Sequence, residues 1–261
     1  MPGVADFHHG MLILRKPEEI EKIRVSNIMV AQILEALGEK VVEGITTREL
    51  DRYAEELALR QGARPAFKGY RGFPYSLCVS VNEEVVHGLP SQRILKNGDL
   101  VSLDFGIYFK GYYGDAARTF AIGEPGEEAR RLMRVTEESL HLGIEEARVG
   151  NRLGDISAAV QNHVEKAGFS VVRDFVGHGI GRNLHEDPQI PNYGRKGRGI
   201  ALKAGMVLAI EPMVNAGSYK VAVLEDGWTV VTEDGKLSAH FEHSIAITEG
   251  GPRILSQSPV S

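Results

Sequence analysis

Apolar residues recur at helical spacing in four stretches of the chain. The first helix is predicted to begin at Pro17, where the next four positions hold three glutamates near the positive end of the helix dipole, and to end at Gly38. Thr46 and Glu49 have the spacing of a capping box, which predicts a second helix that ends at Gly62. Two further amphipathic stretches predict a second pair of helices, at residues 127–148 and 155–166.

Strand-like runs lie between the two pairs of helices. Residues 78–81 alternate, and two β-branched and aromatic runs within residues 100–120 flank Lys110-Gly111, which predicts a tight hairpin. With an even number of turn residues, Asp104 and Asp115 project from one face with Cβ atoms roughly 5–8 Å apart. Two carboxylates so close repel each other unless a proton or cation lies between them, so the pair is a candidate metal site. These two residues alone fit equally well with Asp115 at a frayed strand end and Asp104 as a cap.

The second half of the chain repeats the order of the first. Residues 95–104 align with residues 202–211 at a constant offset of 107, which matches Asp104 with Glu211. Chance similarity between strands explains this less well than a duplicated helix–helix–strand unit, because the offset holds throughout and ends on an acid in both copies. A pseudo-two-fold would bring both acids towards one central site. The expected organisation is a single domain, residues 1–261, with repeats at about residues 16–125 and 126–254.

A glycine-rich stretch in the second half surrounds His178. Arg182 stands where the last glycine of a dinucleotide-binding turn would be, and His185 lacks the second histidine of a zincin motif. Glycines on both sides of His178 indicate a backbone that passes close to another group and exposes one imidazole. Taken alone, either histidine is more often a loop residue with satisfied hydrogen bonds than a metal ligand.

Two more carboxylates lie in apolar, strand-like settings. Glu211 follows the apolar run 206–210, and Glu242 lies inside another apolar strand-like run, residues 241–247. Each by itself would usually face solvent, but burying four unpaired carboxylates costs several kcal/mol each, and no matching set of buried cations is evident. Four carboxylates and one imidazole suit two divalent ions of the manganese, iron or cobalt type. Such a pair, about 3.5–4 Å apart, generates a nucleophile from water at neutral pH.

Composition limits the cellular compartments and the classes of binding partner that we expect for this chain. The net charge of −5 gives no electrostatic footprint for nucleic acid or an anionic membrane, and no apolar run reaches membrane-spanning length. The single cysteine, Cys78, excludes an internal disulfide and fits a reducing compartment. Residues 1–10 lack the apolar core of a secretory signal and are expected to form a flexible lead-in. The chain is therefore expected in the cytoplasm.

The chain resembles the type I methionine aminopeptidases, which have the pita-bread metallopeptidase fold, over essentially all of residues 16–254. The resemblance implies an α+β fold with pseudo-two-fold halves around a curved antiparallel sheet. It also implies two divalent ions, cobalt, manganese or iron, with a hydroxide between them that attacks the peptide carbonyl. The motifs that carry the resemblance are residues 82–90, the Asp104/Asp115 hairpin, residues 177–181, residues 210–213 and Glu242-His243.

The resemblance also assigns roles to residues. Asp104 would bind one ion, His178 and Glu211 the other, and Asp115 and Glu242 would bridge them. Glu211 would accept a proton, His87 would lie near the scissile amide nitrogen, and His185 would hydrogen-bond the carbonyl oxygen. The positions that match the methionine pocket, whose alternative role is plain core packing, are Tyr70, Phe73, Cys78, His87, His185 and Trp228. Phe67 stands where some members have a second pocket cysteine, which puts the pocket outline in doubt.

The implied substrates are peptides and nascent chains with N-terminal methionine, above all those with a small second residue, and the implied state is a monomer. Docking on the ribosome and the native metal are left open. Three alternatives rank lower: an X-Pro aminopeptidase or prolidase, which carries an extra N-terminal domain; a non-catalytic relative that binds partners or RNA; and a metal that only stabilises the fold.

Overall fold

The structure is a computed structural model that describes residues 12–258. The predicted lead-in, residues 1–10, lies outside this range. No helix in the described range is both long and apolar enough to cross a membrane. Four α-helices form in two pairs, α1 (Pro17–Gly38), α2 (Thr47–Arg60), α3 (Glu127–Glu146) and α4 (Leu153–Lys166).

The helix ends show which capping signals operate. At α2, Glu49 N–H donates to Thr46 Oγ1 (3.2 Å) and Thr46 N–H to Glu49 Oε2 (2.8 Å), so the predicted capping box is confirmed. The predicted start of α4 at Asp155 was late by two residues, because Asp155 is itself a cap: its Oδ2 accepts the N–H of Arg152 (2.7 Å). The predicted end of α3 at Arg148 was also wrong. The Arg148 side chain instead donates to a carbonyl of the last helical turn.

The described residues also form strands, and most of them pair in one antiparallel sheet. In order along the chain they are β1 (Arg64–Pro65), β2 (Cys78–Val81), β3 (Glu84–Val86), β4 (Leu100–Phe109), β5 (Tyr112–Ala121), β6 (Ser170–Val171), β7 (Gly177–Gly179), β8 (Glu186–Ile190), β9 (Val207–Ile210), β10 (Met213–Asn215), β11 (Val221–Val223), β12 (Val230–Thr232), β13 (Ser238–His240), β14 (Glu242–Thr248) and β15 (Gly251–Ile254). A 3-10 turn covers Tyr70–Gly72.

The large sheet has nine strands in the order β1-β4-β5-β14-β9-β7-β8, with β2 paired to β4 and β15 to β14. Two three-stranded sheets flank it, β13-β10-β6 and β11-β12-β3. The β4–β5 hairpin turns at Lys110 and Gly111, both with positive φ (46° and 92°), so the tight turn is confirmed. The large sheet therefore joins strands from both halves of the chain.

Helices pack on one face of this sheet, and the candidate site residues lie on the opposite face. In β4, Leu103 and Phe105 pack in one apolar core with α1 and α2, and in the second half Leu208 and Ile210 of β9 pack in another with α3 and α4. Because side chains alternate along a strand, Asp104 projects from the face opposite the helices. This α+β arrangement sets the position of the site.

Candidate metal centre

Three carboxylates of the site follow from the register of β4, β5 and β14. Asp104 pairs with Ala117, and Ala117 pairs with Glu242, so the three form one row across the sheet. Asp115 pairs with Gly106, two positions along, and shares the face of that row. Asp115 is buried within β5 rather than at a frayed end, so that alternative was wrong. A Cβ at Gly106 would lie 3.1 Å from Asp115 Oδ1, which shows that glycine makes room for the carboxylate.

The remaining two candidates extend the row through β9 and β7. His243 of β14 pairs with Ile210, which places Glu211, the next residue, in line with Glu242. His178 of β7 pairs with Ala209, so its side chain shares the face of Glu211. All five residues that the resemblance implies as ligands thus project from the helix-free face.

Distances show how closely these groups converge. One ligand atom from each of Asp115, His178 and Glu242 lies within 4.8 Å of the other two. His178 Nε2 lies 3.5 Å from Glu211 Oε1 and 3.9 Å from Asp115 Oδ2. These separations are too long for hydrogen bonds and short enough for a shared cation.

His178 is held in the protonation state that a metal ligand needs. Its Nδ1 donates to the carbonyl of Gly179 (2.9 Å), which leaves the Nε2 lone pair towards the carboxylates. Burial lowers the pKa of His178 to about 4, so the ring is neutral at neutral pH. The expectation of an exposed imidazole was wrong, since the residue is 4% exposed.

The flanking glycines have a packing role, as expected. A Cβ at Gly177 would lie 2.3 Å from the carbonyl oxygen of Ala209, and a Cβ at Gly179 would lie 2.3 Å from that of Asp187. Neither neighbour can yield, because both atoms belong to backbone. Glycine on each side therefore lets β7 pass between β8 and β9 and places His178 in the sheet interior.

The carboxylates are strongly destabilised as a group of free anions. Burial raises the pKa of Asp104 to about 7, and burial together with the neighbouring acids raises the pKa of Asp115, Glu211 and Glu242 well above the usual range. Among the described residues no hydrogen-bond partner reaches three of their buried oxygens, Asp104 Oδ1, Asp115 Oδ1 and Glu242 Oε1. Unpaired buried anions at this density call for protons or cations.

The donor set fits a divalent metal with oxygen and imidazole ligands. Cys78 pairs with Asp104 and shares its face, but burial and then the Asp104 charge raise the pKa of its thiol well above the usual range. A protonated thiol is a poor ligand, so the site does not resemble a thiolate zinc centre. Carboxylates with one neutral imidazole fit a divalent metal ion.

His185 lies directly beside this cluster. Its ring centroid is 4.3 Å from that of His178. The Tyr70 ring stacks on the His185 ring with centroids 5.2 Å apart. Tyr70 Oη also bonds His185 Nδ1 (2.9 Å). Burial, and then the adjacent His178, lowers the pKa of His185 well below its usual value, so it is a neutral hydrogen-bonding group.

His87 follows β3 in a backbone conformation that non-glycine residues rarely adopt, with φ of 59°. The adjoining Gly88 is clamped to β2: its carbonyl accepts the N–H of Val79 (2.9 Å), and a Cβ there would lie 2.2 Å from the Val79 oxygen. The His87 ring contacts the Phe175 ring edge to face, with centroids 5.4 Å apart. Burial lowers the pKa of His87 to about 4. Backbone strain of this kind often occurs at functional positions.

Two contacts join expected pocket residues to each other. Phe73 meets Trp228 edge to face with centroids 5.2 Å apart, whereas Tyr70 contacts His185 and Cys78 lies across the strand pair from Asp104. Phe73 is buried and Trp228 half-buried. Phe67, which stands where some members of the family have a cysteine, packs against Gly106. A Cβ at Gly106 would lie 2.8 Å from the Phe67 ring, so glycine makes room for the larger side chain.

One histidine of the site was missed from the sequence. His240, at the end of β13, is 1% exposed, its Nε2 lies 3.8 Å from Glu211 Oε2, and this nitrogen has no hydrogen-bond partner among the described residues. Its position two residues before Glu242 was the available signal. Asn192, which donates to the Glu211 carbonyl (3.0 Å), had no recognisable signal.

Comparison with known proteins agrees with this geometry. Residues 21–249 match the model of metallopeptidase family M24. The chain is 59% identical over 246 residues to a methionine aminopeptidase of Clostridium perfringens, covering 94% of this chain and 99% of that protein. It is 54% identical to methionine aminopeptidase 1 of Bacillus subtilis, covering 95% and 100%.

Comparison with solved structures identifies the fold. A methionine aminopeptidase from Thermotoga maritima superposes with a TM-score of 0.94 at 50% identity, covering 95% of this chain and 100% of that one. A prolidase from Pyrococcus horikoshii shares the fold at a TM-score of 0.77 and 24% identity, but the match covers only 65% of its chain. The predicted pita-bread fold is confirmed. The chain belongs to metallopeptidase family M24 and, within that family, to the methionine aminopeptidases.

Proposed function

We propose that this metallopeptidase hydrolyses the first peptide bond of peptides and newly made proteins that begin with methionine, preferably when the second residue is small. The observation that carries the proposal is that five ligand candidates share one face of the sheet, with ligand atoms of Asp115, His178 and Glu242 within 4.8 Å of one another. Three of the buried carboxylate oxygens have no hydrogen-bond partner among the described residues. The identity to methionine aminopeptidases over almost the whole chain supports the same substrate class.

The proposal assigns two divalent ions to the centre, of the cobalt, manganese or iron type. Asp104 would hold one ion, His178 and Glu211 the other, and Asp115 and Glu242 would bridge them. When bound, the ions would lower the pKa of a water molecule and so supply a nucleophile at neutral pH. The raised pKa values of the four carboxylates support this assignment, because cations would remove the cost of their burial.

The chain's own residues would manage the protons and the developing charge. As the water oxygen bonds to the carbonyl carbon, Glu211 would take its proton and pass it to the leaving amine as the C–N bond breaks. With Tyr70 donating to Nδ1, His185 would carry its proton on Nε2 and donate to the carbonyl oxygen. His87 would lie near the scissile amide nitrogen.

The substrate side chain would lie among soft and aromatic groups. Tyr70, Phe73, Cys78 and Trp228 would supply such walls, and a thioether packs well against aromatic rings. The thiol of Cys78, which stays protonated, would act as an uncharged polarizable surface. This composition supports methionine over charged first residues.

We also propose that the chain is one catalytic domain built from two copies of a single unit, at residues 16–125 and 126–254. Gly98 and Gly205, which match at the offset of 107, both have positive φ (90° and 94°) ahead of β4 and β9. Isolated bridges recur at matching places, Thr46↔Ile94 and Arg152↔Ala201. We further propose a cytoplasmic monomer that acts on nascent chains and binds neither nucleic acid nor membrane directly.

The decisive experiment uses chelator-stripped protein with Met-Ala-Ser and an Ala-Pro peptide, before and after addition of manganese or cobalt. Release of methionine only after metal addition is the expected result. Release of alanine from the Ala-Pro peptide would instead identify an X-Pro enzyme. Turnover in fully stripped protein, or none with either metal, would contradict the proposal.

A further inference from the structure

A buried ion pair ties the segment ahead of α1 to the turn that carries His185. Arg15 Nη2 donates to both carboxylate oxygens of Glu186, at 2.6 and 2.5 Å, across 171 positions of sequence. The two side chains are 4% and 7% exposed. A pair this enclosed is costly to break from either side, because the remaining charge would stay buried without its partner.

Glu186 at the same time closes the turn that precedes it. Its Oε1 accepts the backbone N–H groups of Arg182 (2.9 Å) and Asn183 (3.0 Å). In the sequence, His185 lies between these two donor residues and Glu186, so the position of its backbone depends on the conformation of the turn. The Arg15 guanidinium directs this carboxylate, because both of its oxygens bind the same nitrogen.

Arg15 is in turn fixed on two sides. Its N–H donates to the carbonyl of Gly205 (2.7 Å), which precedes β9. Its guanidinium lies flat against Gly181, where a Cβ would come within 2.5 Å of Nη2. The ion pair therefore links β9, the 181–186 turn and the start of α1 into one packed unit.

We propose that Arg15 and Glu186 are positioning residues for His185: the ion pair holds the 181–186 turn in the conformation that delivers this imidazole to the substrate carbonyl. The inference rests on the proposed function for the role of His185. Neither Arg15 nor Glu186 is among the residues assigned to hold metal or to contact the reacting atoms. A misplacement of about 1 Å in such a group costs up to about 100-fold in rate.

The kinetic test is a double-mutant cycle between Arg15→Ala and His185→Ala in metal-loaded protein. Arg15→Ala is expected to lower kcat about 10- to 100-fold with little change in KM, and to cause no further loss in the His185→Ala background. Arg182→Ala is the matched control, since it removes an exposed arginine of the same turn and is expected to leave kcat unchanged. Additive losses in the cycle would overturn the proposal, because Arg15 would then act independently of His185.

Two conservative variants cover the case in which Arg15→Ala fails to fold. Arg15→Lys keeps the charge but loses the planar geometry, and Glu186→Gln keeps the shape but loses the charge. Each is expected to show a smaller fall in kcat with manganese affinity unchanged. An equal fall in manganese affinity would contradict a role through His185.

A readout that needs no turnover separates this inference from the proposed function. In ¹⁵N-labelled protein, Arg15→Lys is expected to shift the imidazole resonances of His185 and to speed exchange of the Arg182 and Asn183 amides, with His163 as an unaffected reference. If the wild type releases no methionine but these shifts occur, the proposed function fails and the structural link stands. Unshifted His185 resonances would overturn the link itself.

Discussion

His178 Nε2 faces Glu211 Oε1 at 3.5 Å, while Nδ1 of the same ring is committed to the carbonyl of Gly179. Both facing atoms carry lone pairs, so their approach is unfavourable unless a proton or a cation lies between them. β7 and β9 pair directly and hold the two side chains on one face. The sheet thus fixes a repulsive contact that a bound metal would turn into an attractive one.

Asp115→Asn is expected to weaken the binding of both ions, because Asp115 is assigned as a bridge. Its Oδ1 is buried without a partner and its Oδ2 lies 3.9 Å from His178 Nε2, so loss of the charge affects the whole cluster. Calorimetric titration with manganese measures both sites, and Asp174→Asn, at an exposed position, is the control. Two unchanged binding steps in Asp115→Asn would rule out the bridging role.

His87→Ala is expected to keep metal affinity and to lose turnover by about 100-fold or more, because a group held near the scissile amide nitrogen positions the reacting bond. The ring contacts Phe175 rather than a carboxylate of the centre. Metal content and kcat should be measured on the same preparation, with His163→Ala as the control. Loss of metal from His87→Ala would count against the assigned role.

Metal binding is expected to release protons at mildly acidic pH. Burial raises the pKa of Asp104 to about 7 in the metal-free protein, and burial together with the neighbouring acids raises the pKa of the other three carboxylates well above the usual range. Below about pH 7 these groups therefore hold protons that a cation must displace. Affinity for manganese should therefore fall as the pH falls from 7 to 5. The site histidines do not add to the release, because burial lowers the pKa of His178 to about 4.

Proton release is measured by calorimetry at pH 6 in two buffers with different heats of protonation. The expected result is a buffer-dependent heat that corresponds to about one proton or more per chain. Heats that are identical in both buffers would show that the carboxylates are already ionised, contrary to their burial.

Gly177→Ala is expected to lower the free energy of unfolding by about 1–3 kcal/mol or more through overpacking. The added Cβ would lie 2.3 Å from the carbonyl oxygen of Ala209 in the paired strand. Gly250→Ala is the matched control, since its Cβ would meet only ordinary contacts. Urea unfolding of both variants checks the difference, and equal stabilities would mean that β7 can move away from β9.

Local pattern predicted the parts of the site that lie on neighbouring strands. Parity about the Lys110-Gly111 turn was enough to place Asp104 and Asp115 on one face, as the pairing confirms. The positions of Glu211 and Glu242 depend on the pairing of β5, β14 and β9, which no local pattern encodes. The repeat at an offset of 107 pointed Glu211 towards the same centre as Asp104, and the apolar setting of Glu242 made it a candidate, but only the resemblance to a family assigned both residues to particular ions.

The residues that were missed show the same limit. Arg15 and Glu186 meet across 171 positions and follow no repeat, so their ion pair is visible only in three dimensions. Arg15 also lies one residue before the stretch over which the resemblance was recognised. The boundary errors at α3 and α4 have another cause: side chains of Arg148 and Asp155 cap the helices, and hydrophobic periodicity does not report this.

The central claim is that acidic groups from both halves of the chain and one imidazole hold a pair of cations. The most direct measurement is an anomalous difference map from crystals grown with manganese. The account predicts two peaks about 3.5–4 Å apart, with Asp104, Asp115, His178, Glu211 and Glu242 as ligands. A map without peaks at saturating manganese, or with these five side chains turned away from them, would contradict it.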